Sequence, residues 1–152
     1  MVLMARAQSQ RLRFDSLMRF FRRCRREALR CREAKAYIAG CVLLGAALES
    51  ALLSMTRIYQ DQVYRRGRRV AEKWDLGGLI DLADACGWLD DTGLRAAKKI
   101  QVHRNLVHPG RSAGSVELPR IDRRTFDARL RDFERVMDNL TNYVLYGSPV
   151  GP

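Results

Sequence analysis

Apolar residues recur at three- and four-residue steps through most of this chain, the spacing that lines one face of an α-helix. The first stripe reads Phe14, Leu17, Phe20/Phe21, Cys24, Ala28 and Cys31, with arginines filling the other face. It predicts a first helix ending near Arg32 to Lys35. A second helix is expected from about Ala36 to Gln62. A short third one follows around Leu76, Leu79, Ile80, Leu82 and Ala83, broken by Gly77-Gly78 and Gly87. Asp91 or Thr92 can cap the next helix, which carries Leu94, Ala97, Ile100 and Val102 up to Pro109. After the loop "PGRSAGSVELP", Asp122 caps a last helix with the stripe Phe126, Leu130, Phe133, Met137, Leu140 and Val144. No strand pattern and no internal repeat competes. The expected fold is therefore all-α, an up-and-down bundle of about four to five helices. It forms one domain over residues 1–152, with a basic extension at 1–13 and a tail at 147–152.

The second helix demands a decision. From Ala36 to Thr56 it runs 21 residues with Glu49 as its single charge, long enough to span a bilayer. A helix apolar all round equally suits the centre of a bundle. The mid-segment Glu, the many small residues and the amphipathic helices on both sides favour burial, so no membrane association is expected.

Composition narrows the class. At 152 residues, 47% hydrophobic and 30% charged, the chain suits one soluble globular domain rather than a disordered segment. Its net charge is +11, and all but four of its 28 basic residues are arginine. Arginine grips phosphate or carboxylate bidentately, which fits a polyanionic partner, although an Arg-favouring genome explains the bias equally well. Residues 1–35 carry eleven basic residues against Asp15, Glu27 and Glu33, and "RRGRR" at 65–69 adds four more. The remainder is close to neutral, so the charge forms a patch. Cys24, Cys31, Cys41 and Cys86 form no CxxC pair and have no His at ligand spacing, so neither a metal nor a cofactor is expected. Arginines interrupt the N-terminus before any apolar run forms, which argues against a cleavable signal and for a cytoplasmic protein with free thiols.

The chemistry concentrates in "KKIQVHRNLVHPGR", residues 98–111. Arg104 and His108 are four apart, which on a helix puts them on one face, one turn apart. Pro109 disfavours helical geometry at the residue before it, placing His108 at the helix's C-terminal end, where the dipole favours its protonated form. An imidazole that titrates near neutrality beside a guanidinium has the parts for phosphodiester chemistry: proton transfer from one, charge stabilisation from the other. The structural alternative is that His108 caps carbonyls and Arg104 pairs with an acid.

"RNLVHPGR" at the end of a late helix resembles the signature of HEPN domains, α-helical bundles that include many metal-independent ribonucleases of toxin–antitoxin, CRISPR and antiviral systems. Upstream, "EALRCREAKAYIAGCVLLGAALESALL" (27–53) looks like the paired first helices of bacterial HEPN proteins. "LIDLADACGWLDDTGLRAAKKIQVHRNLVHPGR" looks like their third helix, turn and signature helix. The likeness covers about residues 16–145. It implies an RNA-binding protein, with metal-independent endoribonuclease activity at a homodimer interface, or else a non-catalytic dimerisation or partner- or nucleotide-binding module. It assigns phosphate contact to Arg104, an adjacent polar role to Asn105, and general acid/base work to His108. Glu49 either orients Arg104 or His108 across the bundle or faces solvent. Arg22, Arg23, Arg65, Arg66, Arg68, Arg69, Lys98 and Arg111 would hold the RNA backbone, and an antitoxin or other protein is a possible further partner. Tyr59, Tyr64 and Trp74 either stack bases or belong to the core. One departure stands out: three residues separate Arg104 from His108, where the active ribonucleases usually have about four to six. That rotates Arg104 by about 100° relative to their pattern.

Overall fold

A computed structural model describes residues 2–67, 75–107 and 120–151, with side chains from Arg13 onward except that of Val107. It is all-helical, and no strand occurs among the described residues. Helix α1 spans Val2–Glu33, α2 Tyr37–Ile58, α3 Gln60–Arg65, α4 Leu76–Ala85, α5 Asp91–Arg104 and α6 Arg123–Tyr146. A 3-10 turn, Asn105–Val107, follows α5. The segment expected as a basic extension is helical from Val2 onward.

Helix α1 ends where the sequence pattern places its end. Lys35 takes a left-handed conformation (φ 59°), and the Ala36 amide reaches back to the Cys31 carbonyl at 2.8 Å. This is the usual way of closing a helix, with Lys where glycine would cost less. The chain then doubles back, so α2 runs antiparallel to α1: Gly40 packs beside the Ala28 carbonyl, and the Ser54 hydroxyl lies 3.7 Å from the Met18 sulfur.

Helix α2 is the centre. It is long and apolar enough to cross a membrane by length and composition, and 56% of its most apolar window is buried against the other helices. Gly40 lets the Phe126 ring of α6 close on the backbone of α2: a Cβ there would stand 2.6 Å from that ring. At the other end of α2, Tyr59 meets Tyr143 edge-on at 5.3 Å, so α6 runs parallel to α2. Helix α5 runs the opposite way, with Arg104 at Gly45 and Trp88, just before α5, at Tyr59. The long helices α1, α2, α5 and α6 thus alternate in direction. Leu44, Leu48, Leu52, Ile100, Phe126, Phe133 and Trp88 fill the interior. Cys41 is sealed within it, and burial pushes its thiol up to about 11, with Arg129 opposing.

Three expectations need correction. The second helix does not reach Gln62: it stops at Ile58, Tyr59 leaves helical geometry (φ −109°, ψ 40°), and α3 begins anew, giving six helices among the described residues. The cause is tertiary. Tyr59 packs between Trp88 and Tyr143, while Gln62 accepts from Trp88 Nε1 at 2.9 Å and donates to the Tyr143 hydroxyl at 2.8 Å. Gly77 and Gly78 do not break α4 but form its first turn, because the Asp75 carboxylate caps the Gly78 amide at 2.8 Å. The cap of α5 is Asp90, whose carboxylate accepts from the Gly93 amide at 2.6 Å. Asp122 caps α6 as expected, through the Thr125 amide at 2.8 Å.

Helices α5 and α6 are locked by one amide. The buried Asn139 accepts from the Asp90 amide at 3.2 Å and donates to the Pro149 carbonyl at 2.9 Å. Gly93 makes room for it, since a Cβ there would collide with Asn139 Oδ1.

Candidate functional site

The end of α5 is held by α2. Gly45 offers bare backbone, and the aliphatic stem of Arg104 lies directly on it: a Cβ at Gly45 would stand 2.6 Å from both Cβ and Cγ of Arg104. One turn further along α2 is Glu49. Its Oε2 lies 3.5 Å from Arg104 Nη2, an ion-pair distance rather than a short hydrogen bond. The two side chains are 24% and 26% exposed, so the pair sits at the rim of the bundle, neither sealed in nor fully solvated. Glu49 therefore faces Arg104 rather than open solvent, one of the two roles its sequence position left open.

Asn105 closes α5. Its backbone amide bonds the Gln101 and His103 carbonyls, and the chain tightens into the 3-10 turn that runs through Val107. The α-helical register expected as far as Pro109 therefore stops at Arg104. Each residue of a 3-10 turn advances by about 120° instead of 100°. The one-turn, same-face relation read for Arg104 and His108 assumed an unbroken α-helix, and that assumption fails at Asn105. His108 itself lies outside the described residues, as do Arg68, Arg69, Trp74 and Arg111. His103 points back along α5, its Nδ1 3.1 Å from the Lys99 carbonyl.

Two residues of this corner were not among those the sequence pattern singled out. Gly45 is one. Gln101, one turn before Arg104, is the other: its amide lies against the first turn of α4, where a Cβ on Gly77 would stand 2.6 Å from Nε2. The start of α4, the end of α5 and the middle of α2 thus meet here. A glycine one turn before a lone acid on an apolar helix is the one available hint, and it is weak without a partner to match.

The basic residues expected to bind RNA sit on separate elements. Arg22 and Arg23 are exposed on α1, Lys98 on the outer face of α5, and Arg65 and Arg66 at the end of α3. Arg66 lies close enough to Cys86 to oppose the upward pull of burial on that thiol. It belongs to the end of the bundle where α5 begins, about 20 Å of helix from Arg104. Of the aromatics considered for base stacking, Tyr59 is committed to the Trp88–Tyr143 cluster, whereas Tyr64 is exposed, just before Arg65 and Arg66 in the chain. No group of three His, Cys, Asp or Glu side chains able to hold a metal ion occurs among the described residues.

Comparison with protein-family models, with curated proteins and with solved structures gave no match for this chain.

Proposed function

We propose that this is a HEPN-like RNA-binding protein of a bacterial defence or toxin–antitoxin system, working in the cytoplasm as a homodimer, with a metal-independent endoribonuclease site at the end of α5. The reading rests on the signature "RNLVHPGR" and is supported by one observation above all. Arg104 is fixed at the rim of the bundle, its stem seated on Gly45 and its head against Glu49, directly before the turn that leads to His108. A guanidinium held in this way is oriented before any phosphate arrives, which reduces the ordering cost of gripping one. In this reading Arg104 contacts the phosphate, Asn105 supports it, His108 moves the proton, and Glu49 aims Arg104.

A second reading is favoured by the same pair. Glu49 already neutralises Arg104, and the Arg–His spacing is compact, which suits a non-catalytic HEPN-like module that dimerises or holds a protein partner such as an antitoxin. One experiment separates the two. Purified protein is incubated with bulk RNA in excess EDTA, beside Arg104→Ala and His108→Ala. Cleavage by the wild type, lost in both variants, supports the nuclease. Intact RNA together with tight dimerisation sinks the nuclease and leaves the module.

A further inference from the structure

The adjacent pair Phe20 and Phe21 divides its duties. Phe21 turns inward and stacks on Phe133 of α6, with ring centroids 6.0 Å apart. Phe20 turns out, 52% exposed, on a face of α1 that also carries Arg13, Ser16, Arg23 and, two turns on, Glu27, which is paired with Arg30 at 2.7 Å. Helical geometry sets Ser16 one turn before it, Arg23 one turn after and Arg13 two turns before. Arg19 borders this face, about 100° around the helix from Phe20, and Arg13, Ser16, Arg19 and Arg23 are all exposed. Among the described residues, the aromatic side chains exposed beyond half are Phe20, Tyr64 (52%) and Tyr146 (56%). Two of the three stand beside arginines, the third at the end of α6.

We propose that Phe20 is a base-stacking station on an arginine-lined track along α1, and that its ligand is single-stranded RNA. The inference rests on the RNA-binding reading above and adds to it the strandedness of the substrate and the residue that reads it. Arginines on both sides supply the charge complementarity that follows a phosphate backbone. A flat apolar ring between them offers what an unpaired base can use, because every base has a π-face whatever its sequence. In a duplex those faces are already stacked and out of reach, so the ring gains nothing there. An anionic membrane surface fits less well. A helix lying on a bilayer needs a broad apolar face, and that of α1 is spent on the core through Phe21, Cys24 and Ala28, leaving Phe20 alone outside.

The test measures binding of a short single-stranded RNA, of a duplex of equal length and of anionic phospholipid vesicles, by fluorescence anisotropy and vesicle sedimentation. Phe20→Ala should weaken single-strand binding about fivefold or more and leave duplex binding within about twofold. Phe20→Trp should keep the single-strand affinity, and Phe20→Leu, apolar but not aromatic, should behave like Phe20→Ala. Because the ring is exposed, the variants should melt with the wild type. Equal loss on both RNAs, no loss on either, or a loss confined to vesicles overturns this proposal while leaving RNA binding in place. A wild type that binds neither RNA overturns the parent reading and this one together.

Discussion

Replacing Gly45 with alanine probes the seat of Arg104 directly. The new methyl carbon would stand 2.6 Å from two carbons of Arg104, whereas carbon atoms in comfortable contact are about 3.5–4 Å apart. Close to 1 Å of separation must therefore be found, roughly the shortfall from that contact distance. Swinging the guanidinium cannot supply it, because one of the two carbons is Cβ, bonded to the backbone of α5. Either α5 lifts from α2 or both helices shift. Overpacking of this kind costs about 1–3 kcal/mol. Alanine in place of glycine inside a helix returns about 0.5–1 kcal/mol, leaving a net loss of up to about 2.5 kcal/mol, near 1 kcal/mol at the middle of both ranges. For a chain this long that mid-range loss should lower the melting temperature by about 2–4 °C. Urea unfolding followed by circular dichroism would measure it. A double-mutant cycle sharpens the result: in an Arg104→Ala background one of the two clashing carbons is gone, so the two changes together should cost less than their sum by about 0.5 kcal/mol or more. Gly45→Ala above wild-type stability, or strict additivity with Arg104→Ala, would refute the packing described.

Two further outcomes are expected. Asn139→Ala should destabilise by about 1–3 kcal/mol in the same assay, because the Asp90 amide loses its partner, whereas the Pro149 carbonyl keeps the Asn142 amide at 3.3 Å; a loss below about 1 kcal/mol would mean that water replaces the amide at little cost. Asp127, which receives the Arg32 Nε hydrogen bond at 2.7 Å, has its carboxyl held below the ordinary value of 3.8 by that bond and by the charges of Arg32, Arg123 and Arg131, against the pull of burial. A carboxyl depressed in the folded state stabilises above its unfolded pKa, and that contribution disappears as pH falls from about 4 through the folded value. Asp127→Asn should accordingly be the less stable protein at pH 7, with a shallower loss of stability below about pH 4; parallel acid-unfolding curves would count against the pair.

The helical class, the end of α1 and the Asp122 cap were legible in the sequence because each depends on neighbours a few residues away. Where the reading slipped, a distant residue decided the matter. "LDDT" offers two adjacent aspartates, and Asn139, far along the chain, selects Asp90 by bonding its amide. No glycine or proline marks the break at Tyr59, whose side chain is claimed by Trp88 and Tyr143. Gly77-Gly78 reads as a breaker until Asp75 is seen to cap it. A period of three or four admits either Phe20 or Phe21 to the interior, and only the position of Phe133 settles which. In the candidate site, Arg104 was legible as a residue of interest, but its seat on Gly45 was not, since nothing local links positions 45 and 104.

The central placement of α2 has a consequence for synthesis. Its neighbour along most of its length, α1, leaves the ribosome before it; α3 and α4 add smaller contacts, and α5 and α6, which cover the other sides, follow later, with α6 ending at Tyr146. At about 5–20 residues per second, the nascent chain carries this greasy 22-residue rod half-clothed for roughly 4–18 s. During that interval it offers trigger chaperones and insertion machinery the same features they recognise in a genuine anchor. Stalling or truncation before α6 would make the interval permanent, so incomplete products should be more aggregation-prone than the finished chain.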